Sequence, residues 1–421
     1  MLTKGVETMK TKTDVLIVGA GPTGLALATA LQRAGIDHLL IDRLEAGLNL
    51  SRAGVVHAHT LEMLEPLGVV PQMLAAGLKM TRFAVRDRRH RLMSIDFDRL
   101  PSRYPFVLML PQDVTERILT DRLAALGGRV HRGVEALDLA QDADGVTVRV
   151  TTGSGERTIR ARYVVGGDGM HSKVREASGI AFEGGRYEES FVLADVSFAV
   201  PPREQEVSLF FSTAGMVVVA PLPGGRHRIV ATHRHEGERP DRAAIQHLLD
   251  TRGPQRGGPA VVPVVAEVHW SSAFRVHHRV ADTYRDGRLL VMGDAAHVHS
   301  PAGGQGMNTG IVDAMLLAPL LARVVRGAPE SLLDAYGARR RPAAEAVLGL
   351  AGRLTKLALV RGRVRRGVRN LLLRALDRVP PFKAKLALQL SGIARRELAV
   401  APGGDAGPAG EGDATGWRLA A

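Results

Sequence analysis

Cysteine is absent from the 421-residue sequence. Its absence excludes disulfides, cysteine-ligated zinc, iron–sulfur clusters and thiol nucleophiles. It also suits a reducing compartment, and we expect a cytoplasmic protein. The first residues contain no apolar segment typical of signal peptides, so none is expected. The longest apolar run, residues 15–31, contains Gly19, Gly21, Pro22 and Gly24, and therefore indicates a strand, a turn and a helix rather than a membrane span.

Acidic residues are almost missing from one segment near the C-terminus. Between Arg353 and Arg396, thirteen lysines and arginines accompany a single acid, Asp377, and account for nearly all of the net charge of +13. Nucleic-acid binding is not expected, because the segment has one aromatic residue, Phe382, and no recognisable module. We interpret the segment as a solvated helical face. A basic amphipathic helix over residues 353–378 on an anionic membrane surface is the less favoured alternative.

Glycine, in contrast, is concentrated in three motifs, the first of which lies near the N-terminus. Residues 14–18 (DVLIV) predict a buried parallel strand, followed by the turn G-A-G-P-T-G and a helical pattern. A second strand, residues 37–41, precedes an acid. This arrangement is the dinucleotide-binding fingerprint, in which the glycines admit a pyrophosphate and the acid binds ribose hydroxyls. The candidate contacts are Gly19, Gly21, Pro22, Thr23, Gly24, Asp42 and Arg43.

The second motif is RYVVGGDGMHSKVR, residues 162–175. A short strand ends at two glycines, Asp168 follows, and a helix begins near Ser172. A purely structural role for this turn would not explain why it contains an acid. We therefore expect the loop to cover the phosphates and ribose of a nucleotide.

The third motif, GDAAHVHSPAGGQGMN, spans residues 293–308 between the apolar run RLLVM and a helical pattern. Asp294 lies where the strand should end, which is where open α/β sheets bind ligands. The glycines let the backbone approach a flat ligand, and the helix directs free N–H groups at it. The candidate contacts here are Gly293, Asp294, Pro301, Gly303, Gly304, Gly306, Met307 and Asn308.

The sequence between the motifs alternates in the manner of β-strands. Residues 82–110 and 191–235 predict short strands, with a hairpin turn at Pro223, and a further strand is expected over residues 264–274. A helix is expected over residues 115–126, after Gln112. Residues of this second sheet are candidates for a substrate-facing wall, although an ordinary core role is favoured for each: Leu209, Phe211, Met216, Val218, His233, Trp270 and Phe274.

Together the three motifs, with SLLDAYGARRRPAAEAV at residues 331–347, resemble the class A flavoprotein monooxygenases of the para-hydroxybenzoate hydroxylase fold. The aromatic polyketide and phenol hydroxylases are the most similar branch, and the resemblance covers about residues 13–400. It implies an α/β fold: a Rossmann-like FAD-binding domain (13–80, 111–180 and 281–345) with an inserted antiparallel-sheet substrate domain (81–110 and 181–280). A C-terminal helical segment (346–400) and a disordered tail (401–421) follow.

The resemblance also implies cofactors and roles. FAD is the bound cofactor, and NADPH or NADH the transient reductant. The first motif holds the FAD pyrophosphate, with Asp42 on the adenosine ribose, while Arg52 and Gln112 approach the cofactor. Asp168 serves both cofactors, Asp294 anchors the ribityl chain, and the backbone at Pro301, Gly303 and Gly304 lines the flavin and oxygen site.

The implied reaction is hydroxylation of a phenolic or polyketide-type small molecule with O2, through a C4a-hydroperoxyflavin. No motif indicates a protein nucleophile, paired catalytic carboxylates or a metal, which agrees with chemistry carried by the cofactor. Two alternatives stay open: a Baeyer–Villiger or antibiotic-inactivating oxygenase of the same fold, and a non-oxygenating FAD-binding protein.

The sequence departs from the family pattern at two places. His59 replaces the arginine of H-A-R-T-L-E, and we interpret both His57 and His59 as packed or hydrogen-bonded rather than as ligands. After residues 313 and 314, Leu316, Pro319 and Leu320 replace the usual Asn-Leu-x-Trp-Lys. We expect Pro319 to kink or locally break the helix that follows the third motif.

Overall fold

The computed structural model describes residues 9–47, 53–200, 202, 206–233, 239–255, 263–301, 303–360 and 362–400, without the side chains of 187–189. The predicted cofactor contact Arg52 and the tail at residues 401–421 lie outside the described residues.

The described strands, in chain order, are β1 (Lys12–Val18), β2 (His38–Asp42), β3 (Val55–Val56), β4 (Leu78–Met80), β5 (Arg82–Asp87), β6 (Arg91–Asp96), β7 (Val107–Met109), β8 (Val130–Arg132), β9 (Glu135–Asp142), β10 (Gly145–Thr152), β11 (Gly155–Gly166), β12 (Phe182–Phe198), β13 (Val207–Phe211), β14 (Met216–Pro221), β15 (Arg226–His233), β16 (Val265–Ala281), β17 (Arg285–Asp286), β18 (Leu289–Val291) and β19 (His297–Val298).

The described helices are α1 (Pro22–Arg33), α2 (Ala58–Leu64), α3 (Val70–Ala76), α4 (Gln112–Ala125), α5 (Lys173–Ser178), α6 (Arg242–Arg252), α7 (Gly306–Val325), α8 (Asp334–Ala358), α9 (Arg363–Asp377) and α10 (Pro380–Leu390). Short 3₁₀ turns lie at Glu65–Leu67, Pro223–Gly225, Gly293–Ala295, Glu330–Leu333 and Ile393–Ala399.

The first sheet has a parallel centre. Its order is β17-β18-β11-β1-β2-β8, with β10 pairing β11 and β9 as an antiparallel ribbon. The pairs β18–β11, β11–β1, β1–β2 and β2–β8 are all parallel. Helices α1, α4 and α7 contribute to the same apolar core as this sheet. The Rossmann-like part of the predicted fold is therefore confirmed.

The register of this sheet aligns the strand ends. Val18 pairs with Ile41 on one side and with Gly166 on the other, and Gly166 pairs with Val291. Hydrogen bonds continue one step past the strands, from Gly19 N to Ile41 O at 2.8 Å and from the amide of residue 167 to Val18 O at 2.8 Å. The three glycine motifs consequently leave the sheet side by side at one edge.

The second sheet is mainly antiparallel. Its order is β19-β16-β12-β15-β14-β13-β5-β6, and β13 with β5 is its parallel pair. One face packs on C-terminal helices, while the other is covered by α6. A three-stranded sheet, β3-β7-β4, is formed by chain segments between β2 and β8 of the first sheet. Strand β19 joins the second sheet although residues 297–298 belong to the predicted FAD-binding segment; the domain division itself stays a prediction.

Helix α7 runs without interruption through Pro319, so the predicted local break is wrong, whereas the alternative of a kink stays a prediction. A proline inside a helix costs about 3 kcal/mol, because one hydrogen bond is lost and its ring crowds the preceding turn. Burying one leucine side chain contributes about 1.5–3 kcal/mol, and Leu316, Leu317, Leu320 and Leu321 are all buried on α7. Packing thus outweighs the local penalty. The helix is long and apolar enough to span a membrane, but 83% of its most apolar window is buried, which makes it a core helix.

Close packing between α1 and α7 depends on the glycine at position 310, which has no Cβ. A Cβ built on Gly310 overlaps Thr23 Oγ1 and lies 3.1 Å from the Cα of Gly293. We expect Gly310→Ala to destabilise the protein by about 1–3 kcal/mol in urea unfolding, the usual cost of overpacking. The double variant T23A/G310A should recover part of this loss, because the overlapping hydroxyl is gone.

The matched control is Gly367→Ala, at a helical glycine whose added Cβ has nothing within 4 Å. Removing a helical glycine there should be neutral or stabilising, by up to about 1 kcal/mol. Equal stability of the G310A and G367A variants would contradict the proposed packing of α1 on α7.

Candidate cofactor site

The first glycine loop is shaped by two close approaches. Gly19 has φ +101°, and a Cβ on it would overlap the backbone of Gly167 in the second motif. A Cβ on Gly24 would overlap the carbonyl oxygen of Gly19, because α1 begins directly against the turn. Gly21, in contrast, has nothing within 4 Å of an added Cβ. The loop therefore leaves open space at the position where the fingerprint requires room for a pyrophosphate.

Asp42 lies at the end of β2 and organises this loop. Its Oδ2 accepts a hydrogen bond from the Ala20 amide at 2.6 Å, and its Oδ1 accepts one from the Leu44 amide at 2.9 Å. Arg132 lies 3.8 Å away as a further ion-pair partner. The neighbouring Arg43 is exposed. The carboxylate thus lies at the same sheet edge as the glycine turn and holds its backbone.

Asp168 is the acid of the second loop. Its Oδ2 accepts the Lys173 amide at 2.7 Å, and Ser172 caps α5 by accepting the Arg175 amide at 3.0 Å. Its Oδ1 is buried and has no hydrogen-bond partner in the described structure. Burial raises the pKa of Asp168, opposed by hydrogen bonds to its side chain. An unpaired buried carboxylate oxygen is costly unless a ligand or water donates to it, which fits a nucleotide hydroxyl here.

Arg175 connects the second and third loops. Its Nη1 donates to Ala295 O at 2.8 Å and its Nη2 to Met170 O at 2.8 Å. Its guanidinium also lies 3.9 Å from the centre of the Phe182 ring. One half-buried cation therefore fixes the spacing between the Asp168 loop and the turn that carries Asp294.

Asp294 follows β18 in a 3₁₀ turn, with Gly293 at φ +58°. Its side chain is exposed, whereas Gly293 and Ala295 on either side are buried. A Cβ on Gly293 would lie 2.9 Å from Thr23 Oγ1, so the predicted cofactor contact Thr23 packs the first motif against the third. Asp294 faces outward from the aligned strand ends, as a ligand-binding carboxylate requires.

A buried carboxylate that sequence reasoning missed supports this turn. Asp313 on α7 accepts the Gly293 amide at 3.0 Å and His297 Nε2 at 2.7 Å on Oδ2, and Arg340 Nε at 2.7 Å on Oδ1. Asp313 and His297 are fully buried. Burial alone would raise the pKa of Asp313, but its interactions with His297 and Arg340 outweigh burial and lower that pKa below its ordinary value of 3.8.

The motif at residues 331–347 supplies two members of this network. Arg340 on α8 pairs with Asp313, and Tyr336 donates its hydroxyl to Val291 O at 3.0 Å. His297 is both buried and hydrogen-bonded. The only sequence signal was the acid itself, an aspartate in an otherwise apolar helix.

The loop at Gly303 and Gly304, which is predicted to line the flavin and is called the flavin-side loop below, is held by Asn308 and His57. Asn308 Oδ1 accepts the His57 amide at 2.8 Å, and its Nδ2 donates to Val55 O and Gly304 O at 3.0 and 2.8 Å. His57 Nε2 donates to Gly303 O at 3.0 Å, and burial lowers its pKa to about 4. The predicted contact Asn308 thus acts on the loop backbone, and His57 and the buried His59 are packed as expected.

The backbone of this loop adopts left-handed conformations. Gly303 and Gly304 have φ +84° and +62°, and the Gly304 amide donates to Pro301 O at 3.0 Å. Helix α7 begins at Gly306, with Met307 half-buried behind it. The loop therefore leads directly into a helix N-terminus, whose partial positive charge favours an electron-rich ligand.

Gln112 begins α4 as expected and connects it to the segment before β3. Its Oε1 accepts the Ala53 amide at 3.2 Å, and its Nε2 donates to Glu116 Oε1 at 2.8 Å. Burial raises the pKa of Glu116. Gln112 therefore positions the chain immediately after residue 52.

The structure brings most of the predicted substrate wall together. Five of its residues belong to one apolar cluster on a single face of the second sheet: Leu209, Phe211, Met216, Val218 and Phe274. Val55 belongs to the same cluster, and it would overlap a Cβ placed on Gly304. The wall and the flavin-side loop therefore meet across shared apolar contacts.

His233 does not belong to this wall. It follows Ile229 and Ala231 at two-residue steps on β15, and those side chains lie in the cluster on the opposite face. Since side chains alternate across a strand, His233 shares their face. Trp270 lies on the wall side, with the Arg228 guanidinium 6.0 Å from its ring centre.

A buried ion pair on the wall face was not predicted. Arg228 donates from Nε and Nη2 to the two carboxylate oxygens of Asp195, at 2.8 and 2.9 Å. A Cβ on Gly54 would lie 2.9 Å from Arg228 Nη1. Arg228 therefore lies between the second sheet and the segment beside the cofactor loops. Nothing in the alternating sequence distinguishes this buried arginine from a solvent-facing one.

The arrangement fits an extended dinucleotide along the sheet edge. Gly21 and Gly169 leave space where a Cβ would stand, Asp168 Oδ1 lacks a donor among the described residues, and Asp294 is exposed. Hydroxyls of a ribose or ribityl chain are donors of the required kind.

Comparison with known proteins assigns the class. The family described as FAD binding domain matches residues 12–351. The chain is 38% identical over 377 residues to 6-methylpretetramide 4-monooxygenase of Streptomyces rimosus, covering 89% of this chain and 67% of that protein. It is 36% identical over 338 residues to a rifampicin monooxygenase of Streptomyces venezuelae, covering 80% and 69%. The solved anhydrotetracycline hydroxylase of Streptomyces rimosus superposes with a TM-score of 0.74 at 33% identity, covering 90% and 76%.

The chain therefore belongs to the FAD-dependent class A aromatic monooxygenases, and FAD is its cofactor. It spans about two thirds of the length of the curated relatives that it matches.

Removing the charge of Asp313 tests the buried network. Asp313→Asn leaves the buried guanidinium of Arg340 without its carboxylate, so we expect a loss of about 3–5 kcal/mol in urea unfolding at pH 7. Because folding lowers the pKa of Asp313, its stabilisation is present above the unfolded pKa and is lost only as pH falls through the folded pKa. Neutral pH therefore reports the full effect.

The matched control is Glu345→Gln, which removes the carboxylate of an exposed pair with Arg341 on the same helix as Arg340. It should change stability by no more than about 0.5 kcal/mol. A D313N variant as stable as E345Q would show that the buried network does not support the fold.

Proposed function

We propose that the protein uses NADPH or NADH and O2 to hydroxylate a phenolic or polyketide-type aromatic molecule. One observation carries this proposal: the Gly303–Gly304 backbone contacts the same apolar cluster that forms the wall of the second sheet. An aromatic ring bound in that region lies against both the flavin-side loop and the wall. The relatives named for tetracycline-type and rifampicin substrates support this substrate class.

FAD supplies the redox chemistry, by accepting a hydride and activating dioxygen. The chain's own contribution is to hold and shield it. Asp42, Asp168 and Asp294 offer carboxylates along the sheet edge for its hydroxyl groups. The backbone of Gly303 and Gly304 and the start of α7 offer N–H groups and a helix dipole, which stabilise negative charge on the reduced ring system.

The wall excludes water and orients the substrate. Phe211 and Met216 are buried and the other wall residues of their cluster are half-buried, which favours a flat apolar ring and keeps bulk water away from the reacting oxygen. The Arg228–Asp195 pair adds charge at this face. A polar substituent such as a phenol or quinone oxygen is a suitable partner for that arginine. Hydroxylation requires the target carbon at roughly 3–3.5 Å from the reacting oxygen.

A cluster of cations supports the docking of a phosphorylated reductant. His277 on β16 has a lowered pKa, through burial and then through the positive charges of Arg186, Arg279 and Arg275. His171 directly follows the Asp168 loop in sequence. Cations gathered beside that loop attract the phosphates of NADPH or NADH.

A second candidate function, an oxygenase that modifies an antibiotic, is supported by the 36% identity to rifampicin monooxygenase. Product analysis distinguishes this second function from biosynthetic hydroxylation. It also distinguishes Baeyer–Villiger oxygen insertion from hydroxylation. We expect either reaction to occur in the cytoplasm.

The test is oxidation of NADPH and NADH by the purified FAD-loaded protein, with and without a panel of phenols and polyketide quinones. We expect at least one aromatic to stimulate oxidation and to gain one oxygen atom from isotopically labelled O2. FAD binding without any stimulated oxidation or labelled product would instead favour the non-oxygenating alternative.

Neighbouring residues on β13 provide a matched pair of variants. Phe211 belongs to the wall cluster, whereas Phe210 belongs to the cluster on the opposite face, and both are buried. Phe211→Leu should raise the KM for the aromatic about tenfold, because packing against the ring is lost. Phe210→Leu should lower stability similarly and leave that KM unchanged.

A further inference from the structure

Helix α9 carries its apolar side chains on its outer face. Val364, Val368, Leu371 and Leu372 are 79%, 61%, 70% and 53% exposed. Their spacing of four, seven and eight residues places them on one side of the helix. A helix on the surface of a globular protein normally turns this stripe toward the core. We expected the basic segment to present a solvated polar face. Its exposed face instead has an apolar stripe along its centre.

Tertiary contacts fix the helix in this orientation. On the opposite face Arg369 and Leu373 are buried, and Asp377 accepts the Ser94 amide of β6 at 2.9 Å. The Arg369 guanidinium lies 4.1 Å from the ring centre of Phe211. Rotating the apolar stripe inward would break these contacts, so it is held outward by the rest of the fold.

Positive charge borders the stripe. Arg363 and Arg374 lie at one margin and Arg365 at the other, by their positions around the helix. Arg363, Arg365 and Arg378 have no ion pair with a carboxylate in the described part of the chain, and the acid of α9, Asp377, faces the protein. A partner for this surface must offer an apolar layer that takes up the stripe and negative charge that faces the arginines.

We propose that α9 docks the protein on an anionic lipid surface. The helix lies parallel to the bilayer, with Val364, Val368, Leu371 and Leu372 among the upper acyl chains and the arginines at the phosphate level. This is the arrangement of interfacial amphipathic helices with a basic polar face. A second copy of the chain is a poorer partner, because two-fold pairing of the stripes would bring their bordering arginines together.

Docking through α9 would turn the second sheet, which carries the wall, toward the bilayer. The buried face of the helix contacts β6 and Phe211, which belong to that sheet. If the proposed function is also correct, apolar aromatic substrates concentrated in the membrane would reach the wall over a short distance. The docking itself does not depend on the proposed function.

The test is sedimentation of the full chain with vesicles, which requires no turnover. Phosphatidylcholine vesicles are compared with vesicles of equal parts phosphatidylcholine and phosphatidylglycerol, at low and high salt. We expect binding to the anionic vesicles that weakens as salt rises. The triple variant R363Q/R365Q/R378Q should bind on the order of a hundredfold more weakly, since each arginine near the surface contributes about a factor of five.

The apolar stripe is tested by the double variant V368Q/L371Q, which should bind anionic vesicles at least about tenfold more weakly at either salt concentration. The matched control V200Q/V264Q removes two valines that are 73% and 57% exposed elsewhere, and it should bind like the unchanged chain. Retained FAD absorbance shows that each variant is folded.

Three results would overturn the proposal. The first is absence of sedimentation of the full chain with anionic vesicles. The second is equal binding by all variants and by both vesicle types. The third is a concentration-dependent dimer in light scattering that V368Q/L371Q abolishes, which would identify a second copy as the occupant.

Discussion

The three hydrogen bonds to Asp313 are the constraint on which the cofactor site depends. Through them one buried carboxylate ties the turn after β18, the strand at His297 and helix α8 to helix α7. Breaking a buried charge pair typically costs about 3–5 kcal/mol, a large fraction of the stability of a domain. The position of Asp294 at the sheet edge therefore follows from a residue that does not itself face the ligand.

The local features of the site could be predicted from the sequence. Gly19, Gly24 and Asp168 lie in loops whose strand, turn and helix signals are continuous in the chain, and the α/β class followed from them. The Asp313 network could not be predicted, because its members lie on the turn at Gly293, on α7 and on α8, and only the folded chain brings them together. Pro319 was misjudged for a related reason: a local penalty was weighed without the packing that exceeds it.

The second sheet illustrates the same limit. The alternation of its strands indicated an apolar wall, and five of the seven candidates lie in one cluster. Alternation alone did not assign each residue to a face, so His233 was placed on the wrong side. The periodicity of α9 likewise indicated an amphipathic helix, but only contacts with β6 show that its apolar side faces outward.

We expect the three loops at the ends of β1, β11 and β18 to form one FAD site. The most direct measurement is an equilibrium titration of the FAD-free protein with FAD, followed by quenching of flavin fluorescence. We expect saturation at one FAD per chain and much weaker binding of riboflavin, which lacks the pyrophosphate and adenosine predicted to lie at the first loop. Absence of saturable FAD binding, or equal affinity for riboflavin, would contradict it.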